Sequence, residues 1–112
     1  MNFLNRIKYC VKYRNNENDV SLQEAMEMLN NDKKAILLDV RSPQEYDEYH
    51  LEGATLLPLY ELSSRINSLV KDKDTLLIVY CKSGARSKKA IAMLKKLGYT
   101  NVYNIKGGLD NN

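Results

Sequence analysis

One stretch of this sequence combines residue types that could do chemistry: Cys81-Lys82-Ser83-Gly84-Ala85-Arg86-Ser87. A cysteine opens it, an arginine follows, and small residues fill most of the space between them. The reactive form of cysteine is the thiolate, and a free thiol is mostly protonated at neutral pH. Groups that stabilise negative charge beside Cys81 would therefore make it a nucleophile. Arg86 and Lys82 carry positive charge. A tight turn of small residues can aim successive backbone N–H groups at one anion. The same groups would hold an anionic substrate above the sulfur.

The flanking residues must position this turn. Thr75-Leu76-Leu77-Ile78-Val79-Tyr80 is an apolar run of β-formers and reads as a buried strand. Ser87 to Leu97 shows apolar residues at helical spacing, and Gly98 is a natural stop. Cys81 thus falls where a strand ends and a helix begins. A helix N-terminus adds unpaired N–H groups and the positive end of the helix dipole. A merely structural cysteine at the end of a core strand requires neither the glycine-containing turn nor the arginine.

The rest of the chain supplies the frame. Val20 reads as a short edge strand. Ser21-Leu22-Gln23-Glu24 is a capping box, opening a helix that ends near Asn30-Asn31. Met26 and Met28 on that helix read as packing residues. Ala35-Ile36-Leu37-Leu38-Asp39-Val40 has the continuous apolar character of a strand buried on both faces. Ser42-Pro43-Gln44-Glu45 repeats the capping logic for a short helix. Thr55-Leu56-Leu57 reads as a strand ended by Pro58, and Leu59 to Val70 as an amphipathic helix with Leu62, Ile66, Leu69 and Val70 on its apolar side. Asn101 to Ile105 is a last strand before Gly107-Gly108. Alternating strands and helices predict an α/β fold: a small parallel sheet of about four or five strands with helices on both faces. Ligands bind such sheets beyond the C-terminal ends of the strands, where Asp39 and Cys81 both fall.

Composition narrows the function classes. At 112 residues the chain suits one compact domain, expected over residues 18–112. Residues 1–17 are expected to form a basic arm or extra helix, with Phe3, Leu4, Ile7, Cys10 and Val11 falling on one helical face. A net charge of +3 permits small anionic substrates but makes no case for nucleic acid. Two cysteines, Cys10 and Cys81, make no disulfide framework, and with one histidine they make no metal cluster. No apolar run approaches the roughly 20 residues of a membrane span. Arg6, Lys8, Lys12 and Arg14 interrupt any signal-peptide core, so a cytoplasmic location is expected.

Taken together, these pieces resemble the rhodanese-like sulfurtransferase family. The matching residues are Leu38-Asp39-Val40-Arg41 with Glu45, then His50-Leu51-Glu52-Gly53-Ala54 with Pro58. Cys81 to Ser87 follows, then Leu97-Gly98-Tyr99 with Val102, and Gly107-Gly108. Each piece is weak alone, but their order from Val20 onward is specific. The resemblance implies that Cys81 takes a sulfane sulfur from a small anionic donor such as thiosulfate or a persulfide. It would pass that sulfur to a thiol acceptor or a sulfur-carrier protein, with no cofactor and no metal. The N–H groups of Lys82, Ser83, Gly84, Ala85 and Arg86 would cradle the persulfide, Arg86 would brace the turn, and Lys82 would attract the donor. Cys81 is expected to be both ionised and accessible. Asp39 and Arg41 would hold the turn and the helix beginning at Pro43, and His50 would be structural. Three residues depart from the family pattern: Tyr49 where glycine is frequent, Leu56 where asparagine is, and Leu109 where tryptophan is.

Three rivals differ in testable ways. Cysteine phosphatases and arsenate reductases also close an anion-binding turn with arginine, but with one more residue between Cys and Arg; four stand here, Lys82 to Ala85. A non-catalytic partner-binding module of the same fold usually lacks the cysteine. A two-cysteine redox device would need Cys10 beside Cys81.

Overall fold

The structure, a computed structural model, describes residues 18–112. The expected arm over residues 1–17, with Cys10, lies outside the described residues. Asp19–Val20 forms β1, and Leu22–Asn31 forms α1. Ile36–Asp39 is β2, Pro43–Glu48 is α2 and Thr55–Leu56 is β3. A 3₁₀ turn at Leu59–Glu61 leads into α3, Leu62–Leu69. Leu77–Tyr80 is β4, Ala85–Lys96 is α4 and Val102–Ile105 is β5. The five strands make one sheet in the order β1-β5-β4-β2-β3, and every pairing is parallel.

β4 lies at the centre of the sheet, which explains its unbroken apolar sequence. Side chains alternate between faces along a strand. Leu77, Val79 and Cys81 enter one core with Leu38, Leu62, Ile66, Ala90 and Leu94. Ile78 and Tyr80 enter the other with Val20, Ala25, Leu37 and Ile105. Thus α3 and α4 cover one face, and α1 and α2 cover the other. Met26 and Met28 pack against the second core, as expected.

Both capping boxes form. Ser21 Oγ accepts from Glu24 N–H at 3.0 Å, while Glu24 Oε1 accepts from Ser21 N–H at 2.9 Å. Ser42 and Glu45 repeat the exchange at 3.1 and 3.0 Å. Two expectations need correction. The stretch from Leu59 to Val70 is not one helix, because its first three residues wind as 3₁₀ after Pro58. Leu69 is also 40% exposed, not packed. The chain leaves the helix at Val70 in extended conformation, which buries Val70 and leaves Leu69 outside.

Candidate active site

Cys81 is the first residue after β4, and α4 starts only four residues later, at Ala85. The helix therefore begins two residues before the expected Ser87. Gly84 makes this possible. It caps the helix at φ +109°, a left-handed conformation that costs glycine little and other residues more. The turn winds tightly around the sulfur. Gly84 N–H points at Cys81 Sγ from 3.0 Å, and Ser87 N–H from 3.4 Å. Ser87 Oγ lies 3.4 Å from the sulfur and donates to Gly84 C=O at 3.1 Å. Ser87 stood inside the sequence motif but outside the expected cradle of Lys82 to Arg86. Its position in the first turn of α4, facing back to Cys81, shows only once the helix start is known.

These contacts set the charge on sulfur. Burial pushes the Cys81 thiol up. Donors from the Ser87 hydroxyl and the N–H groups of Ser87, Gly84 and Ser83 pull it down, and the net effect is a lowered pKa. The expectation of an accessible thiol does not hold, for Cys81 is only 1% exposed. A four-residue turn is small enough to close on a lone sulfur. A second segment covers its backbone: Leu109 N–H donates to Cys81 C=O at 3.0 Å, and Asp110 N–H to Lys82 C=O at 2.8 Å. Leu109, where the family often has tryptophan, packs its side chain against the core of the α1–α2 face. Lys82, Ser83 and Ala85 remain exposed.

The Arg86 guanidinium forms a two-pronged ion pair with Glu45, at 2.7 and 3.0 Å, which with a smaller contribution from the Cys81 charge holds it in its cationic form. Glu45 Oε1 also accepts from Ser42, so one carboxylate caps α2 and anchors the start of α4. The Arg86 hydrogen bonds hold the Glu45 carboxyl down at about 2. The pair ties the first turn of α4 to α2, with Glu45 as a partner that sequence alone presented only as a helix cap.

Asp39 and Arg41 send their hydrogen bonds elsewhere than the cysteine turn. Asp39 is fully buried and accepts from Arg41 Nη2 at 2.7 Å and from Tyr80 Oη at 2.7 Å. Arg41 Nη2 also donates to Tyr49 C=O at 2.5 Å, and Tyr80 Oη accepts from Leu51 N–H at 3.0 Å. The network therefore fixes residues 49–51 and reaches the turn only through Tyr80, the neighbour of Cys81. Burial and the Asp39 contact push the Tyr80 phenol up, so it stays a neutral donor. His50 Nδ1 lies 2.8 Å from Tyr46 C=O, and its ring stacks on Tyr46 at 3.7 Å. Both contacts hold the His50 ring against α2.

Fold and turn together define a class: a small α/β protein with a cysteine held by amides at the end of its central parallel strand. Residues 21–111 match the rhodanese-like domain family, and the chain belongs to that family. The thiosulfate sulfurtransferase PspE of Escherichia coli is 43% identical over 64% of this chain and 68% of its own length. A sulfurtransferase of Allochromatium vinosum is 33% identical over 82% of this chain and 84% of its own. The structure of the human single-domain sulfurtransferase TSTD1 superposes with a TM-score of 0.71 at 29% identity, over 81% of this chain and 90% of that one. The chain spans only 23% of two Mycobacterium tuberculosis relatives and 59% of one from Bacillus subtilis. No helix among the described residues is long and apolar enough to cross a membrane.

Proposed function

We propose that this protein is a sulfurtransferase that carries a sulfane sulfur on Cys81. The observation that carries the reading is the pair of N–H groups, Gly84 and Ser87, aimed at Cys81 Sγ. They stabilise the thiolate that attacks the donor. With thiosulfate, Sγ forms a bond to the outer sulfur while the S–S bond of the donor breaks, and sulfite leaves with its electron pair. The product is a Cys81 persulfide anion, stabilised by the same amides. An acceptor thiolate then attacks the outer sulfur and returns the electron pair to Sγ, which is exchange chemistry at sulfur governed by thiolate fraction and leaving group. Lys82, exposed on the turn, supplies positive charge toward the donor. Names of relatives that include thiosulfate sulfurtransferase and sulfur carrier support both half-reactions.

The near-complete burial of Cys81 favours a second reading, a partner-binding module with a structural thiol. Intact mass after incubation with thiosulfate separates the two. Sulfur transfer gives wild type one added sulfur, Cys81→Ser none and Cys10→Ser one. Wild type without added sulfur from thiosulfate or a persulfide donor leaves the binding module.

A further inference from the structure

A cavity of about 600 Å³ lies beside the cysteine turn. Ser83 and Gly84 of the turn form part of its wall, with Asp19 and Ser21 from the start of the domain and Lys88 and Lys106 from α4 and the end of β5. Pockets of this volume hold organic ligands, and a small oxyanion such as thiosulfate fills only a fraction of one. The cavity is tied to the chemistry through Gly84, whose N–H sits 3.0 Å from Cys81 Sγ. We propose that this cavity receives the sulfur acceptor, and that Lys88 and Lys106 select a thiol bearing carboxylates, best two. The proposal rests on the sulfur-transfer reading above.

Charge supports it. Ion pairs among the described residues join Asp39 to Arg41, Glu61 to Arg65 and Glu45 to Arg86, and neither cavity lysine takes part. Between Lys82 and Asn112 the sequence has seven Lys or Arg and a single acid, Asp110. The acid on the cavity wall, Asp19, is buried and accepts from Asn104 Nδ2 at 3.0 Å. Helix electrostatics make Lys88 conspicuous. α1 and α2 each carry an acid in the first turn, α3 and α4 carry none, and α4 alone places a lysine, Lys88, close to its positive end. That placement costs helix stability, and a nearby anion, whether the Cys81 thiolate or a bound carboxylate, offsets the cost. Two cations from separate elements on one cavity suit two carboxylates on one ligand.

In the transfer, the acceptor thiolate attacks the outer sulfur of the Cys81 persulfide. A bond forms between the two sulfurs, the Sγ–S bond breaks, and its electrons return to Cys81 as thiolate. The acceptor leaves as a persulfide, and no oxidant or reductant is consumed.

The test loads wild type with one sulfur, verified by mass, and discharges it with three thiols compared at equal thiolate concentration. These are 2-mercaptoethanol, 3-mercaptopropionate and mercaptosuccinate, with no, one and two carboxylates. Expected is the lowest KM for mercaptosuccinate. The double variant Lys88→Ala/Lys106→Ala raises that KM about tenfold, leaves 2-mercaptoethanol unchanged, and is rescued by arginine at both sites. Both lysines are exposed, so the variant should fold, and circular dichroism is the check on that. Equal KM for all three thiols, or no effect of the double variant, overturns the proposal. A raised KM for thiosulfate alone also overturns it, by giving the cavity to the donor. Failure of Cys81 to load removes the sulfur-transfer reading itself, and this inference with it.

Discussion

Burial of the Cys81 thiol favours its neutral form, while the donors around it favour the anion and prevail. Ser87 contributes twice, through its hydroxyl and its N–H. The hydroxyl is the separable part, since substitution leaves the backbone donors of Gly84 and Ser87 in place. With the thiol protonated, S–H donates to Ser87 Oγ, and the Ser87 proton serves Gly84 C=O. On ionisation that proton is free to turn to the sulfur. A hydrogen bond to a charged group contributes about 1.5–3 kcal/mol, and ~1.4 kcal/mol is tenfold in an equilibrium. Ser87→Ala should therefore lower the ionisation constant of the Cys81 thiol about tenfold. The pH profile of alkylation by iodoacetamide should move to higher pH, because a pKa lowered by donors rises when one is lost. An unmoved profile would show that the amides alone hold the charge.

At the scale of elements, the cysteine turn is clamped from two sides. Arg86 and Glu45 tie it to α2, and the segment after β5 lies across its carbonyls. Gly108 is the tightest point. A Cβ there would stand 2.5 Å from both Cys81 C=O and Lys82 C=O, at φ +60°. Gly108→Ala should cost about 2–4 kcal/mol, since the segment must lift and lose both hydrogen bonds. Gly53→Ala is the control, with φ +83° but nothing within 4 Å, and should cost only about 1 kcal/mol of backbone strain. Urea unfolding of the two variants measures the difference, and equal losses would mean that the clamp does not bear on the turn. Sequence revealed the elements themselves because their signals are local. Ser21 with Glu24 and Ser42 with Glu45 lie three residues apart, and the apolar run into Tyr80 is continuous. The clamp was hidden because its partners are distant in sequence. Glu45 and Arg86 stand 41 residues apart, as do Asp39 and Tyr80. The closure over Cys81 was equally hidden, because it depends on where Gly84 starts the helix and on how the Gly108 segment docks.

Across the whole molecule, charge is divided along the chain. Residues 18–80 hold twelve acids against six Lys or Arg, while the stretch from Lys82 onward is strongly basic. The Glu45–Arg86 pair joins the two parts, so acid unfolding should register its loss. The folded carboxyl of Glu45 lies at about 2, below its ordinary 4.5. A carboxylate with a depressed folded pKa contributes stability above its unfolded value, and that stability is lost as pH falls through the folded one. The window is therefore from about 4.5 down to about 2. Both side chains are partly exposed, at 37% for Arg86 and 29% for Glu45, so solvent screening limits the contribution to about 1 kcal/mol. Glu45→Gln isolates it, because glutamine retains the capping box but not the charge. Protonation of the other acids destabilises wild type and variant alike and cancels in the difference. Urea unfolding at pH 6 should show wild type more stable by about 1 kcal/mol, and the gap should close as pH falls toward 2. A gap that stays constant through that window would mean that the pair contributes by shape, not charge. A gap that also shrinks in high salt at pH 6 would identify the electrostatic join between the acidic and basic parts of the chain.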